Sequence, residues 1–167
     1  MTIGQNAIGA VFTETFTAGT VNANPPFELG TMMWGHGGKC YVYVQASGAI
    51  TGDGYVVTID EAFQAAMLTS SNDAYGDKIG VADVAFADND YGWVQVYGPC
   101  GIRTEQDAAA NARLAATVDA GQVDDSAVTD GTLFINGMIL GTATGGADAV
   151  NTTGSLNWPW IDAVDTV

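Results

Sequence analysis

The sequence predicts a mainly β protein: one compact, antiparallel β-barrel or sandwich-like domain with an extended N-terminal arm and little helix. Its 22 glycines are scattered with Asn, Asp, Ser and Thr between short apolar runs, as closely spaced turns are in such folds. Hydrophobic residues make up 47% of the chain and charged residues only 14%, which is typical of a chain that folds around a core. A chain of 167 residues needs only one such domain.

The clearest strand is predicted at residues 39–46. Tyr41, Tyr43 and Gln45 alternate there with two valines and an alanine, so aromatic or polar side chains share one face and small or β-branched side chains share the other. Because one face is apolar and the other is largely aromatic, we expect both to be at least partly covered. Further apolar runs of strand length are interpreted as strands at residues 54–59, 63–69, 79–86, 91–97, 132–136 and 138–143.

Turn signals separate these runs. Gly52-Asp53-Gly54 is a hairpin signal that leads into the strand at 54–59. Ala-Asp-Asn-Asp at 87–90 predicts an antiparallel hairpin between the run that ends at Phe86 and the run that begins at Tyr91. Residues 104–117 are rich in alanine, and only there does helix propensity compete seriously with strand.

Residues 1–26 are predicted to form the extended arm, and residues 27–167 the β-rich domain. The first segment has no sustained periodicity, and it ends in Asn24-Pro25-Pro26, which cannot lie in a central strand because proline has no N–H to donate. Such an arm either packs on its own domain or reaches a neighbouring subunit. Packing on its own domain is the simpler expectation, and reaching a neighbour is a hypothesis.

The formal net charge of −15 argues against two classes of partner. Nineteen acidic residues against four Lys and Arg repel a phosphate backbone, so no nucleic acid is predicted. The same charge disfavours anionic membrane surfaces, and no apolar run reaches the roughly 18 residues of a spanning helix, so no membrane role is predicted either. The charge favours solubility before assembly.

The cysteines are expected to be reduced. The opening residues lack the basic and apolar regions of a secretory signal, which predicts synthesis in a cytoplasm, where thiols stay free. Cys40 and Cys100 each lie at the end of a predicted strand, a placement that also allows a disulfide. Two isolated cysteines and the single histidine, His36, offer no metal-ligand spacing, so no metal or cofactor is predicted.

Catalysis is not predicted. His36 lies in a glycine-rich turn with no acidic neighbour in sequence, so a nucleophile would lack an oriented base. The acidic pairs Asp88/Asp90, Asp124/Asp125 and Asp60/Glu61 would suit glycoside hydrolysis only if they met in a cleft, and nothing in the sequence singles them out. The sequence therefore favours a protein that is not an enzyme.

Aromatic residues and the arm supply the candidate partner-binding residues. In Trp158-Pro159-Trp160 the proline holds the chain extended, and we expect the two tryptophans to pack against the body or another copy. The alternative is that Trp34, Trp158 or Trp160 stacks on sugars. The candidate partner-binding residues are Phe12, Phe16, Pro25, Pro26, Phe27, Trp34, Trp158 and Trp160.

Several strand-and-turn motifs follow one another between residues 28 and 161. They are Leu29-Gly30-Thr31, Gly37-Gly38-Lys39 leading into Tyr41-Val42-Tyr43-Val44-Gln45-Ala46, Gly48-Ala49-Ile50, Ile79-Gly80-Val81-Ala82, Tyr91-Gly92-Trp93-Val94-Gln95-Val96-Tyr97-Gly98, Gly131-Thr132-Leu133 and Leu156-Asn157-Trp158-Pro159-Trp160-Ile161. In order and spacing these motifs resemble the head decoration proteins, or cement proteins, of tailed phages.

The resemblance implies a β-tulip-like body in which residues 111–118 form a strand. It implies a structural virion protein, made in the host cytoplasm, that sits on the capsid exterior as a homo-oligomer, usually a trimer, and clamps neighbouring subunits of the major capsid protein. Cementing needs no cofactor; it needs apolar surface and an edge strand or arm that can extend a neighbour's sheet. The alternative is a head fibre or adhesin-type virion protein that binds host surface glycans.

Overall fold

The computed structural model describes residues 6–7, 9–17, 24–72, 74–125, 133–146 and 150–162. Within these residues the chain is almost entirely β, with one 3₁₀ turn at His36–Gly38 and no α-helix, so the predicted fold class is confirmed. In chain order the strands are β1 (Asn6–Ala7), β2 (Ala10–Val11), β3 (Phe16–Thr17), β4 (Met32–Trp34), β5 (Cys40–Ala46), β6 (Tyr55–Ile59), β7 (Gln64–Met67), β8 (Lys78–Ala82), β9 (Asp90–Thr104), β10 (Leu114–Ala116), β11 (Val123–Asp124), β12 (Phe134–Leu140) and β13 (Val150–Asp162).

The strands close two rings of pairings that share the long strand β9. In the first ring β5 pairs with β9 and β7, β7 with β6, β6 with β8, and β8 with β9 again. In the second ring β9 pairs with β13, β13 with β12, β12 with β10, β10 with β11, and β11 with β9. The β5–β7 and β9–β11 pairings are parallel and the others are antiparallel, so the fold is the expected barrel-like one with two parallel exceptions.

Each ring has its own apolar core. Alternate valines of β5 and β9, including Val42, Val44 and Val94, fill the first ring together with residues of β6 and β8. Cys100 and Ile102, from the second half of β9, join the core of the second ring with residues of β10 to β13. The period-two alternation predicted for β5 is confirmed, because its valines face one core and its tyrosines face the other side.

The described part of the predicted arm packs on the body of its own chain. Phe12 stacks on Tyr41 with ring centroids 4.2 Å apart, and only 1% of Phe12 is exposed. Phe16 and the residue after it pair with the start of β9. Residues 1–5, 8 and 18–23 lie outside the described residues, so a reaching arm and a domain boundary at residue 26 stay predictions.

Gly98 lies where β9 passes from pairing with β5 in the first ring to pairing with β13 in the second. Gly98 has φ +91°, and a Cβ at this position would lie 2.5 Å from the Gly38 carbonyl oxygen. The buried Gln95 side chain donates from Nε2 to the carbonyl oxygens of Tyr97 and Pro99, each at 3.0 Å, on either side of Gly98. One buried side chain therefore holds the backbone on both sides of this glycine.

One predicted hairpin turn connects strands that do not pair with each other. Gly52-Asp53-Gly54 is a turn in which all three residues have positive φ, but β6 pairs with β7 and β8 and not with β5. The edges of β5 are already taken by β4, β7 and β9. The turn therefore connects two strands of the first ring that are not neighbours.

The predicted run at 79–86 is too long, because β8 ends at Ala82. Beyond it the chain turns towards the loop before β6, where Asp53 N–H donates to the Asp83 carbonyl oxygen and Phe86 forms an isolated bridge with Ile50. The hairpin with β9 is antiparallel as expected, although its register pair is Val81 with Gln95 and Phe86 does not pair with Tyr91.

The remaining strand predictions are confirmed with shifted limits. The run at 63–69 is the shorter β7, and the runs at 132–136 and 138–143 merge into β12 across a bulge at Gly137, while Thr132 lies outside the described residues. In the alanine-rich stretch, Leu114–Ala116 is a strand, because all three side chains are buried in the second ring. Burial there outweighs helix propensity. The strand that the resemblance implied over residues 111–118 is thus present only at Leu114–Ala116.

Candidate functional site

Strand β4 lies at an edge of the sheet and presents apolar side chains to solvent. It pairs with β5 along one side and with no other strand in the described part of the chain. Met32 and Trp34 are two residues apart, so they share one face of the strand, and they are 59% and 60% exposed. Exposed edge strands usually carry charges or proline, which discourage pairing with another chain, and β4 carries neither.

Trp158 completes an aromatic group with β4. Its ring lies edge-to-face against Trp34 with centroids 6.5 Å apart, and Tyr97 contacts both rings at 5.4 Å from Trp34 and 5.8 Å from Trp158. Trp158 is 42% exposed although it makes these contacts. We call Met32, Trp34, Tyr97 and Trp158 the aromatic edge surface.

The backbone at Trp158 is strained. This residue has φ +52°, a left-handed conformation that disfavours side chains, and it precedes Pro159, which restricts it further. Opposite it in β12, Gly137 also has positive φ, and a Cβ there would lie 2.6 Å from the Asn157 carbonyl oxygen. The left-handed residues Trp158 and Gly137 thus form an irregularity between β12 and β13, and the Trp158 ring lies there beside Trp34. Backbone strain of this kind is often found at binding sites.

We expect Trp158→Gly to be more stable than Trp158→Ala by about 1 kcal/mol, because only glycine relieves the left-handed strain. Both variants lose the same ring contacts, so their difference isolates the backbone. Urea unfolding of the two variants measures it. A more stable alanine variant, which is the usual order inside a strand, would show that Trp158 is not strained.

An apolar pocket of about 500 Å³ adjoins the aromatic edge surface. It is the open end of the first ring, where β5 and β8 begin and β6 ends. Met32 and Trp158 belong both to this pocket and to the aromatic edge surface, while Val42 and Ile59 come from the core of the first ring. The surface and the pocket are therefore continuous.

The predicted partner-binding residues fall into two groups. Phe12 is buried, whereas Phe16, Pro26 and Phe27 line a small pocket of about 200 Å³ beside the outer face of β5 and β9. Pro25 next to them is partly buried. This first group packs on the body of the chain.

The second group is Trp34, Trp158 and Trp160, all exposed. Trp34 and Trp158 meet in the aromatic edge surface, and Trp160 lies two residues farther along β13, where it pairs with Lys78. Sequence reasoning missed Met32 and Tyr97. The alternation of Met32 and Trp34 around Met33 was the available signal, but three residues are too few to predict a strand.

Both thiols are buried and free. Burial raises the pKa of Cys100 to about 12; the nearby Asp83 charge adds to the rise and Lys39 opposes it. Burial also raises the pKa of Cys40. Because the thiolate is the reactive form of cysteine, a pKa this high leaves Cys100 protonated and unreactive at neutral pH.

The Asp83 carboxyl is partly buried, and its Oδ2 has no hydrogen-bond partner among the described residues. Burial raises the pKa of this carboxyl; Lys39 partly opposes the rise and Asp53 adds to it. A carboxyl with a raised pKa stabilises the fold fully only below its unfolded-state pKa, near 4, and that contribution is lost as the pH rises through the folded-state value.

We therefore expect Asp83→Asn to gain stability relative to the unchanged protein as the pH rises from about 3 to about 7, because asparagine cannot ionise. Urea midpoints of both proteins across this range measure the trend. Asp88→Asn, in the exposed turn before β9, is the matched control. If the difference in stability between Asp83→Asn and the unchanged protein did not vary with pH, the raised pKa of Asp83 would be contradicted.

Other chemistry is sparse in the described part of the chain. Asp90, from one of the acidic pairs, accepts hydrogen bonds from the Thr17 hydroxyl and the Ala87 N–H at 2.7 and 2.9 Å, so it holds a turn. Across the described residues, no three His, Cys, Asp or Glu side chains lie together as metal ligands would. In the same residues, no helix has the length and apolarity needed to cross a membrane.

The fold and the site define a class: a mainly β protein, built as two rings around one shared strand, with an aromatic edge surface beside an apolar pocket. Comparison of the chain with protein-family models, with curated proteins and with solved structures found no match. Its function is therefore inferred from its own residues.

Proposed function

We propose that the chain is a non-enzymatic structural protein that binds other protein subunits through the aromatic edge surface. In its specific form, the proposal is a decoration protein on the outside of a phage capsid that cements neighbouring major capsid protein subunits. The motif order between residues 28 and 161 supports this specific form. The general form rests on the surface alone.

The observation that carries the proposal is the pair Trp34 and Trp158. Trp34 is 60% and Trp158 is 42% exposed, yet each ring packs against the other and against Tyr97, so both lose little freedom when a partner covers them. Tryptophan is enriched among the residues that dominate protein–protein binding energy. An aromatic pair held in place beside solvent suits an anchor for a partner.

The free side of β4 supports the same proposal. Its backbone N–H and C=O groups that point away from β5 can pair with an extended segment of another protein, in the way that strands are added to an exposed sheet edge. The Met32 and Trp34 side chains would then lie against that segment. A trimer is suggested by the resemblance and not by this surface.

Sedimentation tests the proposal. The purified chain is mixed with capsids assembled from the major capsid protein encoded in the same genome, and the capsids are pelleted. We expect the chain to pellet at a fixed ratio to capsid subunits and to be displaced by an excess of unlabelled chain. A chain that stays in the supernatant at all concentrations would refute cementing.

A glycan-binding virion protein is the second candidate, and the open faces of Trp34 and Trp158 favour it, because exposed aromatic rings stack on sugars. The two candidates differ in their ligand. Binding to a glycan array that is lost in Trp34→Ala, by a chain that does not pellet with capsids, would support the head fibre or adhesin. Capsid binding without glycan binding would support cementing.

A further inference from the structure

We infer that the open end of the first ring is a binding site for a small amphipathic carboxylate, whose apolar chain enters the pocket and whose carboxylate meets Lys78. This site goes beyond the proposed function, because it binds a small molecule and needs no protein partner. Its floor consists of buried side chains from different strands, Val42, Ile59, Ile79 and Val96.

The size and enclosure of the pocket fit a small ligand. Its volume of about 500 Å³ falls within the range of about 300–1,000 Å³ typical of ligand pockets, which occur often at the mouths of β-barrels. Met32 and Phe63 also line the pocket, as do Trp158 and Pro159 from β13. A partner's single side chain would fill only part of this space, whereas a ligand with a long apolar chain can fill it.

The lining has one charged group, and its charge selects the ligand. In the part of the chain that the structure describes, Lys78 is the only charged residue that lines the pocket, and its ammonium lies 4.9 Å from the centre of the Phe63 ring, a cation–π contact. Among the described residues, no carboxylate forms an ion pair with Lys78. The nearby Asp60 carboxylate instead accepts the N–H groups of Ala62 and Gln64 at 2.9 and 2.8 Å.

These features favour an amphipathic carboxylate over other small molecules. A sugar would bring hydroxyl groups into a lining that offers them almost no hydrogen-bond partner, which is unfavourable. An apolar cation would meet the Lys78 charge at the mouth. A single ammonium suits a single negative charge, whereas a phosphate group is usually bound by several donors.

Calorimetric titration of the purified full chain with sodium octanoate, sodium decanoate and decanol tests the site. We expect one molecule of decanoate per chain, bound about fifteenfold more tightly than octanoate, since each of the two added CH₂ groups contributes about fourfold when buried. Decanol should bind about threefold more weakly than decanoate, because it lacks the charge that meets Lys78.

Two substitutions separate the pocket from non-specific adsorption. Lys78→Met should abolish the preference for decanoate over decanol and leave decanol binding unchanged. Met32→Asp should weaken decanoate binding at least tenfold, because it adds a negative charge to the apolar lining, while Val118→Asp, at a still more exposed apolar position outside the pocket, should not. Loss of decanoate binding in both Asp variants, equal binding of octanoate and decanoate, or no binding by the unchanged protein would each overturn the inference.

Discussion

Replacing Gly98 with alanine is expected to lower the free energy of unfolding by about 3 kcal/mol or more. Two effects add at this position. The φ of +91° is unfavourable for any side chain, and the new Cβ would lie 2.5 Å from the Gly38 carbonyl oxygen, which is backbone and cannot rotate away. Removing this collision would require β9 to move away from the residues just before β5. Because both rings share β9, such a movement would disturb both.

Gly76 offers a matched control for Gly98. Its φ is +90°, but a Cβ there meets nothing within 4 Å, so Gly76→Ala carries the conformational strain without the collision. We expect this control to cost about 1 kcal/mol, measured by urea unfolding alongside Gly98→Ala. Equal losses in the two variants would mean that β9 and the Gly38 segment are not in close contact.

If the proposed function is right, replacing Trp34 with alanine will weaken capsid binding by about thirtyfold or more, the effect of losing an interface residue worth about 2 kcal/mol. Because Trp34 is 60% exposed, its loss should change the fold little, and the variant should unfold near the urea midpoint of the unchanged protein. Trp158→Gly should weaken binding similarly, since it removes the other ring of the pair. Sedimentation with capsids at a series of chain concentrations gives the affinities.

Tyr75→Ala is the control for Trp34→Ala. Tyr75 is an aromatic residue outside the aromatic edge surface and is 72% exposed, so Tyr75→Ala deletes an exposed ring comparable with that of Trp34. It should leave capsid binding unchanged. If Tyr75→Ala and Trp34→Ala weaken binding equally, binding depends on general surface hydrophobicity, and the aromatic edge surface is not the anchor.

Local pattern was enough to predict β5 to β9 and β12, six of the thirteen strands in the described residues. The alternation of Tyr41, Val42, Tyr43 and Val44 predicts both the strand and its two covered faces, because side chains in a strand alternate whatever its neighbours are. The short edge strand β4 was missed, since Met32–Trp34 is too short to display a period. The exposure of β4 depends on the arrangement of the other strands around it, and the sequence of β4 itself does not specify that arrangement.

Pairing partners were harder to predict than strands. The polar turn at 87–90 suggested that Phe86 and Tyr91 would face each other, yet Phe86 bridges Ile50 and packs against Gly92, where a Cβ would lie 2.6 Å from its ring. A turn signal gives the direction of the chain, whereas the register depends on which side chains fit the core. The choice between Ile50 and Tyr91 is made by packing within the first ring.

The sequence by itself determined the β class, the positions of strands β5 to β9 and β12, and the large negative charge, because composition and two-residue periodicity are local properties. Only the tertiary structure decided that β9 pairs in two rings on either side of Gly98, and that Trp158 meets Trp34 across more than a hundred residues of chain. Both depend on strand register and on a left-handed residue in a bulge. Strand register and bulge position depend on packing between residues that are far apart in the chain, and the pattern of neighbouring residues in the sequence does not specify that packing.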